Sequence, residues 1–351
     1  MSDTHVSDRI VYVFLAALLA LAVAASLAIG AFMFSPAEMV RFAGEQLGWL
    51  PDSPADTLAR NVFFVLRLPR VVLCGLTGAT LGLSGALMQG LFRNPIVEPG
   101  LAGTSAGAAL GAALIFVLGE QSLSFLSPLG TAAVPLVAFV CAFAATMFVW
   151  KLSTRFGRTN VFTLLLGGIA INAMCNAGTG FLSYIARDPQ ARNITFWNLG
   201  TFTTADWHRT LIVAVVFVIC LLPALGHGKS LNALMLGEEN ANYLGVDPRK
   251  LVFRLIVVNT LMVSAATAMV GVIAFVGLVI PHLLRLLRSS DYTFLLPASA
   301  LLGAVLMEVI DIVARIVIPP AELPIGIITA LVGAPFFLWI LFTEGRSIGD
   351  G

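Results

Sequence analysis

Long apolar runs separated by short polar segments occupy most of this chain. A bilayer core of roughly 30 Å takes about 20 apolar residues as helix. By that ruler, apolar runs fall at 10–34, 71–92, 101–118, 129–150, 161–186, 210–226, 251–287, 294–318 and 325–343. The run 251–287 is too long for one helix and too short for two ordinary ones. Gly271 and Gly277 flank its middle and Pro281 follows, so it reads as a helix over 251–270, a tight turn near 271–276, and a shorter helix over 276–287. The pattern predicts an all-α polytopic membrane protein of ten spans, one transmembrane domain over 1–351. The first run carries Arg9 before it and Ala22-Val23-Ala24, which looks like a cleavage site. A signal-peptide core is roughly 7–15 residues, and this run is far longer, so a retained first helix is expected.

Composition agrees with a lipid solvent. The chain has 58% hydrophobic and 11% charged side chains, where a soluble domain has about 45–50% and about 25%. A net charge of +1 leaves no footprint for nucleic acid. With the N-terminus inside, twelve of the 20 basic residues fall at cytoplasmic ends and eight outside. That bias predicts both termini in the cytoplasm. Cys74, Cys141, Cys175 and Cys220 lie within apolar runs, without a C-x-x-C pair or a neighbouring histidine, so neither a disulfide framework nor a metal site is expected. Gly228-Lys229-Ser230 lacks the earlier glycine of a phosphate loop, and Gly103-Thr104-Ser105-Ala106-Gly107 has no strand before it. Gly82-Leu83-Ser84-Gly85 looks like an intramembrane serine protease, but His282 is the sole intramembrane histidine available as a base.

Four constellations carry candidate chemistry. Glu308, Asp311 and Arg315 share one helix face at offsets of 3 and 4, so Asp311 and Arg315 can pair. An ionisable group near mid-membrane costs roughly 2.5–3.5 kcal/mol on insertion scales, which makes it a functional candidate. The plainer reading is that Arg315 snorkels outward and Asp311 neutralises it. Asn172, Asn176, Thr179 and Ser183 form a polar stripe on the fifth span, suited to a wall wetted by a polar solute or to interhelical hydrogen bonds. Arg67-Leu68-Pro69-Arg70 opens the second span on the outer side, against the charge bias; with Arg315 it offers basic points for an acidic partner. Ordinary interfacial anchoring is the alternative. The loop 227–250 contains a short amphipathic stretch bracketed by Gly237 and Gly245, fit for docking on a soluble subunit or serving as a solvated connector. Small residues repeat at four-residue spacing, Gly78, Gly82 and Ala86, then Gly103, Gly107 and Gly111, as close helix packing requires.

Five segments, in order, resemble the permease subunits of type II ABC importers, the FecCD family for iron chelates, heme and cobalamin. They are Leu66-Arg67-Leu68-Pro69-Arg70; Gln89 to Pro95 running on to Glu98-Pro99-Gly100; Leu236-Gly237-Glu238-Glu239 to Gly245-Val246; Gly277 to His282; and Asp311 to Arg315 through Glu322-Leu323-Pro324-Ile325-Gly326. The resemblance implies ten helices per subunit, a homodimer, and a passage lined by the fifth and tenth helices, which adds Thr329 and Gly333 to the stripe. It implies that Arg67, Arg70 and Arg315 pair with glutamates of a periplasmic binding protein. It also implies that Gly237, Glu238, Glu239, Leu244 and Gly245 dock on the ATPase. The chain would bind no cofactor; ATP and Mg would sit on two partner ATPase subunits. The implied role is a non-enzymatic permease of the bacterial inner membrane importing an iron complex, heme or ferric siderophore, with cobalamin the alternative cargo. A competing class is a proton-coupled secondary transporter using Glu308 and Asp311.

Overall fold

The computed structural model describes residues 7–30, 32–50, 57–119, 124–155, 158–159 and 161–349. Helices dominate: α1 (Asp8–Ala28), α2 (Pro36–Gln46), α3 (Thr57–Phe92), α4 (Thr104–Leu118), α5 (Ala133–Ser153), α6 (Val161–Ile185) and α7 (Gln190–Asn198) form the first half. The second half holds α8 (Trp207–Gly226), α9 (Gly228–Met235), α10 (Glu238–Tyr243), α11 (Pro248–Val270), α12 (Val276–Leu287), α13 (Tyr292–Ile316) and α14 (Ile325–Gly349). Among the described residues, seven helices are long and apolar enough to cross a membrane, and α4, α12 and the first part of α14 are shorter apolar helices. The fifth apolar run is α6 and the last is α14.

Helix ends follow local chemistry. Ser35 and Glu38 form a capping box at the start of α2, with Pro36 at its first position. Asp247 accepts the backbone N–H groups of Arg249 and Lys250 at the start of α11, where Pro248 has no N–H to satisfy. The Lys250 N–H, first among these contacts, holds the Asp247 carboxyl below its ordinary value of 3.8. The run 251–287 divides at Gly271, whose φ of 83° ends α11, and at Phe275, whose φ of 68° precedes α12. Only glycine takes such angles without strain, so Phe275 is held there by its surroundings.

Three boundaries differ from the apolar runs. The first run stops being helical after Ala28, and a separate amphipathic helix, α2, follows. The helix of the second run, α3, starts at Thr57 rather than near 71, passing through a π-helical turn over Val62–Arg67. A 3₁₀ turn, Pro99–Ala102, replaces the start of the third run, and α4 begins only after Gly103.

The core is a packed interior built around α3, α13 and α11. A Cβ on Gly78 would lie 2.3 Å from the Gly303 carbonyl oxygen, and one on Gly82 2.2 Å from that of Ser299. The first small-residue stripe is therefore the seam between α3 and α13. Gly107 and Gly111 meet α5 in the same way, at Cys141 and Val137. Side-chain hydrogen bonds join these helices further: Ser84 to Asn259 between α3 and α11, and Thr104 to Thr146, 2.8 Å, between α4 and α5. In lipid, close approach and such polar pairs supply the association that water expulsion supplies elsewhere.

Candidate functional site

A cavity of about 550 Å³ lies where α6 faces the Pro99–Ala102 turn and the α11–α12 break. Asn172, Asn176, Thr179 and Ser183 all line it, on one face of α6 as their spacing requires. Glu98, Ser105 and Asn198 complete its polar wall. Asn172 Nδ2 donates toward the carbonyls of Gly100 and Leu101 at 3.5 and 3.4 Å. Thr179 Oγ1 donates to Cys175 O and Ser183 Oγ to Thr179 O, both at 2.9 Å. Glu98 Oε1 accepts the Phe275 N–H at 2.7 Å, which steadies the left-handed residue before α12.

Thr329 and Gly333 do not line this cavity. Thr329 is buried and donates to Gly326 O at 3.2 Å. Gly333 lies under the Phe275 side chain, since a Cβ there would be 2.3 Å from the Phe275 Cβ. Glu98 was missed as a site residue in the sequence. The available signal was a carboxylate directly before Pro-Gly at the edge of an apolar run.

The charged cluster at the end of α1 is a single network. Asp311 pairs with Arg315 at 3.0 Å along α13 and with Arg70 at 2.8 Å from α3. Arg70 also reaches Glu322 at 2.8 Å. Arg67 donates to the carbonyls of Leu27, Ile29 and Phe32 at 3.0, 2.7 and 2.6 Å. Arg315 donates to Ser26 O, Ile29 O and Ser26 Oγ at 3.1, 2.9 and 2.7 Å. Both guanidiniums thus satisfy carbonyls at and just past the end of α1, which the helix itself leaves without partners. Arg315 points inward rather than snorkelling, and is only 7% exposed; Arg67 is 8% exposed. Glu308 is wholly buried near Ser26 and Gly75, with no hydrogen bond of ordinary geometry to its carboxyl.

At the opposite end, α9 and α10 form a ledge. Gly237, with φ 105°, and Gly245, with φ 79°, bracket α10. Ala241 is buried and anchors it, while Tyr243 is 90% and Leu244 63% exposed. A groove of about 750 Å³ runs beside it, lined by Glu238, Glu239, Asn240, Arg93 and Arg249 among others. Arg93, in left-handed conformation, sits 4.0 Å from Glu238. The ledge is tied to the bundle: Asn232 donates to Asp291 Oδ1 at 2.6 Å and accepts the Tyr292 N–H at 2.9 Å, at the start of α13. Arg285 then joins α12 to Tyr292 Oη at 3.3 Å and to the Gln89 side chain of α3.

Comparison with known proteins gives these regions a common context. The hemin transport system permease protein HmuU of Yersinia pestis is 42% identical over 284 residues, covering 81% of this chain and 84% of its own length. The vitamin B12 import system permease protein BtuC of Salmonella typhi is 40% identical over 311 residues, covering 87% of this chain and 90% of its own length. Among solved structures, an inward-facing metal-chelate type ABC transporter is 32% identical with a TM-score of 0.81, covering 96% of this chain and 100% of its own. The model of the FecCD transport family matches residues 18–343. With its helical bundle, its α6 cavity and its exposed ledge, this chain belongs to the FecCD transport family.

Proposed function

We propose that the chain is the permease subunit of an ATP-driven importer that moves a metal-chelate macrocycle, an iron complex such as heme or a ferric siderophore, or else a cobalamin, inward across the bacterial cytoplasmic membrane. Two copies form the passage, with α6 and α14 toward it; two ATPase subunits sit below, and a periplasmic binding protein delivers cargo above. Both termini face the cytoplasm. ATP and Mg belong to the ATPases, and this chain contributes the gate.

The observation that carries this reading is the α9–α10 ledge. It exposes Tyr243 and Leu244 to the aqueous side yet is hydrogen-bonded through Asn232 to the start of α13. A soluble subunit moving that ledge moves α13, and through Arg285 and Gln89 it moves α12 and α3. Because α12 follows directly on Phe275, which rests on Gly333 of α14 and on Glu98 at the cavity, the displacement reaches the passage. Alternating access requires a contiguous mechanical path of this kind between the ATPase side and the passage.

At the outer end, docking of the binding protein falls to the rim around Arg70 and Glu322, where Glu322 keeps 31% of its side chain exposed. Arg67 and Arg315 support that rim from beneath.

The buried Glu308 carboxyl favours one rival, proton coupling. Reconstituted vesicles separate the two. Uptake that needs the ATPase and ATP, and persists without a proton gradient, supports the importer. Uptake by this chain alone down a proton gradient removes it.

A further inference from the structure

A second groove, of about 610 Å³, runs between α5 and α8 over a floor supplied by α11. Among the described residues, neither α6 nor α14 lines it. Its two ends differ in chemistry. One end is apolar: Leu136 of α5 faces Ile212 and Val216 of α8, with Ala265 of α11 beneath. Leu136 and Ile212 are each 47% exposed. Both stand on helices long and apolar enough to cross a membrane, so hydrocarbon is what meets them. The other end is polar and sits at the first turn of α8, where Asp206, His208 and Arg209 line the groove. Trp207 is exposed in the same turn, as aromatic residues are at the membrane–water boundary. From Asp206 to Val216 the chain rises about 15 Å, half of a hydrocarbon core of roughly 30 Å. The polar end carries both signs. Asp206 Oδ1 caps α8 by accepting the Arg209 N–H at 2.8 Å, while Oδ2 lies 3.6 Å from Arg209 Nε and the side chain stays half exposed. Arg209 Nη1 donates to Met269 O at 3.3 Å and to Thr204 Oγ1, contacts that leave the Nη2 hydrogens unused. His208, exposed beside it, adds a ring N–H.

We propose that this groove is a site for one phospholipid with a phosphoethanolamine head. An acyl chain lies in the apolar trough, the phosphate meets Arg209 and His208, and the ammonium meets Asp206. The length of the trough suits the chain of a single leaflet, and the paired charges choose the head. A phosphoglycerol head satisfies Arg209 but sets its phosphate beside the Asp206 carboxylate with no cation to offset it, a juxtaposition that penalises the wrong partner. A phosphocholine head brings the positive charge, but its nitrogen has no hydrogen to donate. The ethanolamine ammonium has three. Such a lipid joins α5 to α8, and its binding is independent of which cargo the protein carries.

Chain-matched lipids isolate the head. The full chain, purified in detergent and stripped of lipid, is titrated with dimyristoyl phosphatidylethanolamine, phosphatidylcholine and phosphatidylglycerol. Native mass spectrometry then gives the dissociation constant of the first lipid bound. The expected order puts phosphatidylethanolamine first, about fivefold tighter than phosphatidylglycerol, with phosphatidylcholine between, since a partly exposed ion pair is worth up to about that factor. Asp206→Asn keeps a side-chain oxygen for the Arg209 N–H, so α8 stays capped, but leaves Arg209 unopposed. The order should then reverse, with phosphatidylglycerol first. Leu136→Trp fills the trough from an exposed position and should bring the three constants together. A native chain that does not bind phosphatidylethanolamine first, or an order that survives either substitution, overturns the proposal.

Discussion

The two ends of the molecule use charge in opposite ways. At the end where α1 stops, Arg67, Arg70, Asp311 and Arg315 are turned into the protein, and their partners are ions and carbonyls of neighbouring helices. At the ledge, Glu238 and Glu239 border an open groove, and the Arg93–Glu238 pair is 4.0 Å apart between partly exposed side chains. Charges inside a bundle hold helices in register, because leaving one unpaired there is costly. Charges at a ledge in water contribute little to stability and are free to meet a partner. The same residue types thus tie helices together at one end and border an open groove at the other.

Removing the hub of the buried charge network should have the largest effect. Asp311→Ala leaves Arg70 and Arg315 without their shared carboxylate, and breaking a buried pair costs about 3–5 kcal/mol. The expected result is loss of a monodisperse folded peak in detergent; a variant as stable as the native chain would mean that the network is not structural. Arg67→Ala follows. It strips donors from the carbonyls of Leu27, Ile29 and Phe32, and hydrogen bonds to a charged group are worth about 1.5–3 kcal/mol. Thermal unfolding should drop, with Arg67→Lys recovering part of it; an unchanged melting curve would count against the capping role.

At the ledge, the order of effects inverts. Glu238→Lys with Glu239→Lys should leave unfolding within about 0.5 kcal/mol of native, while uptake per ATP hydrolysed collapses. Normal coupled uptake would make the ledge a mere connector. The smallest effect concerns pH. Asp247 is held below its ordinary 3.8 in the folded chain, so its capping contribution is complete above that value and is lost as pH falls through the depressed one. Asp247→Asn should therefore lack a small increment of acid sensitivity seen in the native melting temperature below about pH 4; identical acid profiles would contradict the cap.

This contrast bears on how docking is tested. Reversing Arg70 to glutamate would set a third carboxylate beside Asp311 and Glu322, so folding fails before docking can be read. Glu322→Gln leaves the buried pair intact and reports on the rim alone.

Much of the architecture was legible because lipid imposes simple rules: apolar length marks helices, and Gly271 with Gly277 marks a break. The stripe Asn172, Asn176, Thr179 and Ser183 was legible because offsets of four and three stay on one helix face. What could not be read depends on distant partners. Arg67 meets carbonyls up to 40 residues away, Arg315 meets Ser26 across 289 residues, and Arg70 meets Asp311 across 241. No periodicity encodes such pairings, and so these arginines read as outward basic points. The helix α2 was missed because it is amphipathic rather than uniformly apolar, and Glu98 because its neighbours in space, Phe275 and Asn172, are remote in sequence.

Amide hydrogen exchange on the reconstituted chain, alone and with its ATPase, tests the division between the two ends most directly. Slowed exchange confined to residues 228–246, with the α1 end over 26–30 already protected in both states, is the predicted result. Equal exchange at 228–246 with and without the ATPase, or fast exchange over 26–30 in the chain alone, would contradict it.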